Sequence, residues 1–533
     1  MTQEMDTSKA KTLRRSEKRF TADQRQIPCL WQVVFFPCGF SGWTGKADIP
    51  VAYPTPRSTR WYLQRKKAMG KACFLRHKPL GSFASSFHCG LTSTANKPCR
   101  AFYHRAFKPM MSTVAAGRVL YEPIEDVERM EYYKAGGYHP VTIGDRFHNR
   151  YQVVHKLGHG TYSTIWLARD EISRKYVAVK VCTADSNPLE VNVLSELSKT
   201  QQLSDNGRTM IPSIWDRLNI QGPNGNHVCL VTSPARMSLS DAKNGSWISL
   251  FQIEVARAIA AQLVMVVQYL HAQGFVHGDL HRGNVFLQPS REFNQLSTEA
   301  LYEQYGEPVL EPVNRLDGEQ LPPGVPQHGI LPVWLGDASE NVTLSDARIL
   351  LSDFGEAFSP AREKRFKSHT PLPLRSPETR FEPTIPLTFS SDIWTLACTI
   401  WDIVSQKSLF EGFLTNEDDM SCQQIGVLGP LPPEWQRKWD AHRDQLLEHG
   451  KPINESQSLN QSWEDRFETC VQRPRIEEGM PAFEASERDA LSSMLRSMLS
   501  FRPEDRPSAQ QVLESEWMVK WALPEYDKIC KSK

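Results

Sequence analysis

A chain of 533 residues, 40% hydrophobic and 23% charged, has an ordinary globular composition with material for about two to four domains. Its formal charge of +1 hides an asymmetry, because residues 1–118 carry 21 Lys/Arg against 5 Asp/Glu while residues 119–533 carry 41 against 56. The acidic body favours cationic protein partners over nucleic acid, and the 11 cysteines, without a CxxC pair, read as free thiols in a reducing compartment rather than zinc ligands.

Residues 1–118 show no sustained period of 2 or 3.6 and read as a disordered basic extension. The apolar stretch Cys29 to Phe40 is broken by Gln32 and Pro37 and is too short to span a bilayer, so no membrane association is expected. Three readings of the arm stay open: a disordered localisation segment, a mitochondrial presequence, or a stretch preceding a second start at Met110 and Met111. From Tyr151 the texture changes. YQVVHKL, STIWLARD and KYVAVKVC predict three strands, PLEVNVLSELSKT a helix and VCLVTS a further strand. After Ile248, LFQIEVARAIAAQLVMVVQYLHAQG and SDIWTLACTIWDIVSQ predict long helices. The expected class is α+β, with a small β-rich lobe carrying one main helix (151–234) and a larger helical lobe (235–525). Residues 288–346, with one helical patch at STEALYEQY, and the polar, proline-bearing residues 413–480 read as surface insertions.

Four motifs carry chemistry. In LGHGTYSTI, Gly158 and Gly160 sit at a turn between strands, where missing side chains let backbone amides approach phosphates, with Ser163 where a third glycine often occurs. Lys180 lies on a strand between apolar neighbours and needs anionic partners. Nucleotide phosphates and a carboxylate of the following helix would supply them, Glu190 first and Glu196 second. HGDLHRGN supplies His277, Asp279 and Asn284, and LSDFGEAF supplies Asp353. Asp279 suits a hydroxyl proton, while Asn284 and Asp353 suit Mg²⁺ bridging the phosphates of ATP.

The glycine loop, AVK lysine, HxDxxxxN, DFG, RSPE at Arg375 to Glu378 and SDIW from Ser391 resemble the eukaryotic protein kinase signatures, in their usual order, over about residues 151–525. The resemblance implies a two-lobed fold with ATP in the cleft. The nucleotide would touch Leu157, Gly158, His159, Gly160, Thr161, Tyr162, Ser163, Thr164 and Ile165 of the loop. Behind them would stand Ala178, Lys180, Glu190 and Thr232, the last near the gatekeeper position. It also implies an ion pair between Glu378 and Arg506. More narrowly, YKAGGYHPVTIGD in the lead-in 119–150 resembles the SR-protein kinases, as does an insertion after the catalytic loop; here 68 residues separate Asn284 from Asp353. That group implies protein substrates with Arg/Ser-rich segments and a role in splicing regulation; a monomer and residence in cytoplasm and nucleus are taken as the working expectation.

Two departures bear on mechanism. Gly278 replaces an arginine that receives an activation-segment phosphate in many protein kinases, which implies constitutive activity. His281 stands where a lysine usually faces the transferred phosphate, counts here as a fourth catalytic candidate with Lys180, Asp279 and Asn284, and gives a run similar to small-molecule phosphotransferases. The alternatives are therefore a pseudokinase acting as an interaction module, and a kinase of small hydroxyl compounds.

Overall fold

The computed structural model describes residues 119–199, 206–448 and 461–531; the readings made for residues 1–118 lie outside them. A six-stranded antiparallel sheet forms the first lobe, in the order β1 (Arg146–Phe147), β2 (Tyr151–Gly160), β3 (Ser163–Asp170), β4 (Lys175–Cys182), β6 (Gly225–Thr232), β5 (Asp216–Gly222). Alternate residues such as Tyr151, Val153, Val177, Val179 and Val181 are buried on one face, as the period of 2 requires. Helix α1 (Leu189–Lys199) follows Asn187, whose side-chain oxygen accepts the Leu189 N–H at 3.1 Å and satisfies one orphan donor of the first turn. Its Val193, Leu194 and Leu197 face the core.

The second lobe is organised around two helices, α2 (Ile253–Ala272) and, later in the chain, α4 (Phe389–Val404). Helix α2 is long and apolar enough to cross a membrane, but its apolar residues are spent on the core, with Ala256 through Ala261 each 0–1% exposed except the half-buried Arg257. In α4 every residue from Asp392 to Val404 is buried. The catalytic-loop strand β7 (Val285–Leu287) pairs antiparallel with β10 (Ile349–Leu351), so the two chemistry-bearing motifs leave one two-stranded ribbon side by side.

The insertion 288–346 is not loose surface chain. Its helix α3 (Thr298–Tyr305), capped by Ser297, buries Leu301 with Phe293 against Val154, Leu167 and Tyr176 on the outer face of the first-lobe sheet. Tyr302 donates its hydroxyl to the Val154 carbonyl at 2.9 Å, and Asn294 accepts the Tyr176 N–H at 3.0 Å. Beyond it the ribbon β8 (Leu310–Pro312) with β9 (His328–Ile330) joins the lead-in segment. Tyr121, Met130, Tyr133 and Tyr138 cluster there with Val313 and Val325, and Glu128 of the lead-in pairs with Lys156 of β2, both buried. The segment after Phe413 likewise differs from the expected surface insertion. Helix α5 (Glu417–Leu428) begins on an Asn416/Asp419 capping box, and α6 (Pro433–Glu448) buries Trp435 and Trp439, with Trp435 stacked on Phe381 at 5.1 Å.

Candidate active site

The β2–β3 hairpin carries the glycine-rich turn, with Gly158 opposite Ile165, His159 opposite Thr164 and Gly160 opposite Ser163. A Cβ at Gly158 or Gly160 would meet nothing within 4 Å, so local crowding does not demand glycine there; the space is open for a ligand. Leu157 packs beneath the turn at the edge of the Val154 cluster, while Thr161 and Tyr162 form its tip, Tyr162 68% exposed. Lys180 on β4 lies opposite Ile165 and Leu230, and Ala178 opposite Thr232, which brings the loop, the lysine and the gatekeeper candidate onto adjacent strands.

Lys180 Nζ lies 2.5 Å from Glu190 Oε2 in α1. Burial alone would pull the ammonium's pKa down. The carboxylates of Glu190 and Asp353 outweigh it and hold the pKa above the usual lysine value, so the side chain is a fixed cation. Glu196, the second candidate, instead pairs with Arg362 of the segment after DFG at 2.7 Å. Phe354 is fully buried in the same cluster as Leu194 and Leu197, which docks α1 on the DFG turn and keeps Glu190 within reach of the lysine.

The catalytic loop is held from behind by Asp392. Its carboxylate accepts the His277 N–H at 2.7 Å and the Gly278 N–H at 3.0 Å, with His271 Nε2 at 3.1 Å. Burial opposes ionisation of Asp392, but His271 and the other donors overcome it and keep its pKa below the ordinary aspartate value. Asp279 follows directly. One oxygen, Oδ2, is 3.4 Å from Asn284 Nδ2 and 3.6 Å from His281 Nε2; the other, Oδ1, is buried with no hydrogen-bond partner. His281 Nδ1 accepts the Gly283 N–H at 3.0 Å, so a neutral ring carries its proton on Nε2, facing Asp279. Asn284 spends Nδ2 on the Asp279 carbonyl at 2.9 Å, leaving its side-chain oxygen for another partner. Asp353 adopts φ 62°, ψ 73°, a left-handed conformation costly for a non-glycine residue and common where a functional side chain must be aimed.

An amide oxygen and a carboxylate form a sparse set for a metal, and among the described residues no group of three or more His, Cys, Asp or Glu side chains makes a complete cage. That sparseness fits Mg²⁺, which keeps waters and takes phosphate oxygens rather than a full protein shell.

Gly278 has a backbone reason to be glycine. Its φ is +78°, and a Cβ would stand 2.5 Å from the Glu356 carbonyl oxygen. The activation segment is closed on this point: Val276 and Phe358 exchange backbone bonds at 2.8 and 3.0 Å, Thr370 donates to the Gly278 carbonyl at 3.1 Å, and Arg365 donates to the Glu356 carbonyl at 2.6 Å. The segment ends at Glu378, which Arg506 grips through two bonds of 3.0 and 2.7 Å while also donating to the carbonyls of Ser390, Ser500 and Phe501.

The groups that face the cleft are legible in the sequence, and those that hold them are less so. Asp392 lies in the SDIW run quoted above, yet its function depends on amides 114 and 115 residues away. Asn224, whose Nδ2 donates to the Tyr138 carbonyl of the lead-in and the Gly324 carbonyl of the insertion, lies in no motif that points to this role.

The protein kinase domain model matches residues 151–297 and 338–518, and the unmatched interval falls within the insertion. A serine/threonine protein kinase of Aspergillus fumigatus is 26% identical over 427 residues, covering 78% of this chain and 97% of its own. The serine/threonine-protein kinase SRPK of Physarum polycephalum is 25% identical over 411 residues, covering 74% and 91%. The human SRSF protein kinase 3 is 34% identical over a shorter 168 residues, 31% of this chain and 30% of the relative.

Proposed function

The chain belongs to the protein kinase family, as a serine/threonine kinase of SRPK-like type, and on that premise we propose that it transfers the γ-phosphoryl group of ATP to serine in Arg/Ser-rich protein segments. The observation that carries the reading is Asp279 Oδ1, a buried carboxylate oxygen without a partner, beside Asn284 and within one site with Lys180 and Asp353. In the proposed reaction the serine oxygen bonds to the γ-phosphorus, the bond to the ADP oxygen breaks, and the hydroxyl proton passes to Asp279. Lys180 holds phosphate oxygens while Glu190 fixes its position. Asn284 and Asp353 would hold Mg²⁺, which would supply charge neutralisation at the phosphates. His281 Nε2 lies 3.6 Å from Asp279 Oδ2, beside the proton acceptor, and in its neutral form the ring would contribute less charge to the transferred group than lysine. Little covalent chemistry is asked of the protein, and the rate comes from positioning and charge neutralisation.

Substrate class rests on the named relatives and on the 56 Asp/Glu against 41 Lys/Arg of residues 119–533, which attract a cationic chain. Gly278, closed against Glu356, supports activity that does not wait for activation-segment phosphorylation. We extend the reading to a monomer of cytoplasm and nucleus acting in splicing regulation, without direct contact to nucleic acid or membrane. The test is radiolabelled ATP transfer by the full chain onto an Arg/Ser-repeat peptide, an acidic Ser peptide and a small aminoalcohol. Labelling confined to the repeat peptide supports the proposal; preference for the aminoalcohol, or nucleotide binding with no transfer to any acceptor, overturns it.

A further inference from the structure

We infer that Tyr138, in the lead-in outside the matched kinase domain, is a positioning residue for the phosphate-binding loop; the inference rests on the kinase reading above. Its hydroxyl lies 2.7 Å from the Gly160 carbonyl oxygen and 3.0 Å from that of Thr161, the two carbonyls at the tip of the glycine-rich turn. The one phenolic hydrogen is shared between them. In a planar trans peptide the C=O and the following N–H point to opposite sides. Carbonyls turned towards Tyr138 therefore turn the amides of Thr161 and Tyr162 away from the lead-in, which is the orientation a phosphate cradle needs. Gly158 and Gly160 leave the tip without side chains to wedge it, and the β2–β3 pairing ends at Gly160 and Ser163. The tyrosine adds a hold from outside the hairpin on the two carbonyls at its tip.

The tyrosine is itself held on several sides. Its ring lies 5.5 Å from Tyr133 and 6.4 Å from Tyr132 and is 4% exposed. Its N–H donates to the Tyr132 carbonyl at 3.0 Å, and its carbonyl accepts Asn224 Nδ2 at 2.7 Å. The preceding glycines complete the anchor. Gly136 is at φ +85°, a Cβ at Gly137 would collide with the Tyr132 carbonyl at 1.9 Å, and the carbonyls of Gly136 and Gly137 accept the N–H groups of Asp185 and Ala184, just past β4. Asn224 also donates to the Gly324 carbonyl of the insertion at 2.8 Å. The GGY of the lead-in is thus clamped between the end of β4, the β5–β6 turn and the insertion, and its free end is the hydroxyl that reaches the loop. A side chain serving only to fill the cluster would need the ring and not the hydroxyl.

Tyr138→Phe keeps the ring and removes the tether. Tyr302→Phe is the matched control, deleting a hydroxyl bond from the insertion to Val154 at the other end of β2. Affinity for Mg·ATP by a fluorescent nucleotide analogue, KM and kcat for transfer, and thermal melting are measured on the full chain. We expect Tyr138→Phe to weaken nucleotide binding and raise KM for ATP about five-fold, the scale of one lost hydrogen bond, with kcat within about two-fold and no greater loss of melting temperature than the control. Unchanged nucleotide affinity in Tyr138→Phe overturns the inference, as does an equal weakening in Tyr302→Phe. Because binding is read separately from transfer, a wild-type protein that binds nucleotide but transfers nothing defeats the kinase reading and still decides the tether.

Discussion

Replacing Gly278 by arginine would restore the residue that receives an activation-segment phosphate in many protein kinases, and here it is expected to damage the enzyme rather than make it switchable. Two costs follow from the geometry. A non-glycine residue at φ +78° pays roughly 1–2 kcal/mol. The added Cβ would also lie 2.5 Å from the Glu356 carbonyl oxygen, a backbone atom already bonded to Arg365, so either the catalytic loop or the activation segment must shift by several tenths of an ångström. Asp279 is the next residue, and a displacement of about 1 Å at a reacting group can cost 10²-fold. We expect kcat/KM on an Arg/Ser-repeat peptide to fall about 10- to 100-fold in both Gly278→Ala and Gly278→Arg, about 1.4–2.7 kcal/mol of transition-state stabilisation. The alanine variant carries the strain without the new charge and separates the two effects. Wild-type activity in Gly278→Arg, or an arginine variant that becomes phosphorylation-dependent at full rate, would refute the argument that the backbone demands glycine.

Three further outcomes are expected. Asp392→Asn presents an amide N–H₂ or a weaker carbonyl to the amides of His277 and Gly278, and should lower kcat by at least about 10-fold with nucleotide affinity retained; because the carboxylate's folded pKa is depressed, its stabilisation is present above the unfolded value near 4 and is lost as pH falls through the folded one, so the stability gap between variant and wild type should close in acid. His155 is buried, with burial pushing its pKa down from the ordinary histidine value to about 4, so the unfolded chain binds the extra proton between about pH 6.5 and 4 and stability must fall over that window; denaturant titrations should show His155→Gln losing on the order of 2 kcal/mol of that pH dependence, and an identical slope would contradict it. Leu301→Ala empties a fully buried site between the insertion and the first-lobe sheet and should cost about 2–4 kcal/mol, seen as faster hydrogen exchange across β2, β3 and β4; unchanged exchange there would mean the insertion does not brace the sheet.

The short-range half of this protein is legible from its sequence. The β2 to β4 strands and α1 announce themselves by period, and the motif residues fall into one cleft because each is fixed relative to a strand or turn only a few positions away, as Lys180 is to β4 and Asn284 is to Asp279. Strand β5 gives no clear period because Asp216–Gly222 reads DRLNIQG, with too few apolar positions to show an alternation. The insertion looked like surface chain because Leu301 and Phe293 find their partners on strands more than a hundred residues earlier, a pairing that no local pattern carries. Helix α6 was hidden by prolines flanking a polar run, although Trp435 and Trp439, four residues apart and both buried, were a helical signal in plain view. Glu190, already the first candidate, and Glu196 both lie in α1, six residues apart, and the docking of Phe354 turns the first towards Lys180 and leaves the second to Arg362.

The central claim is that Asp279 receives the proton of a protein serine in an ATP-dependent transfer, and it is tested most directly by single-turnover phosphorylation of an Arg/Ser-repeat peptide by the full chain and by Asp279→Asn. The account predicts that the variant binds nucleotide and peptide as the wild type does and that its transfer step slows by roughly 10²–10⁴-fold, the range of general acid–base contributions. Transfer at the wild-type rate by Asp279→Asn would contradict it.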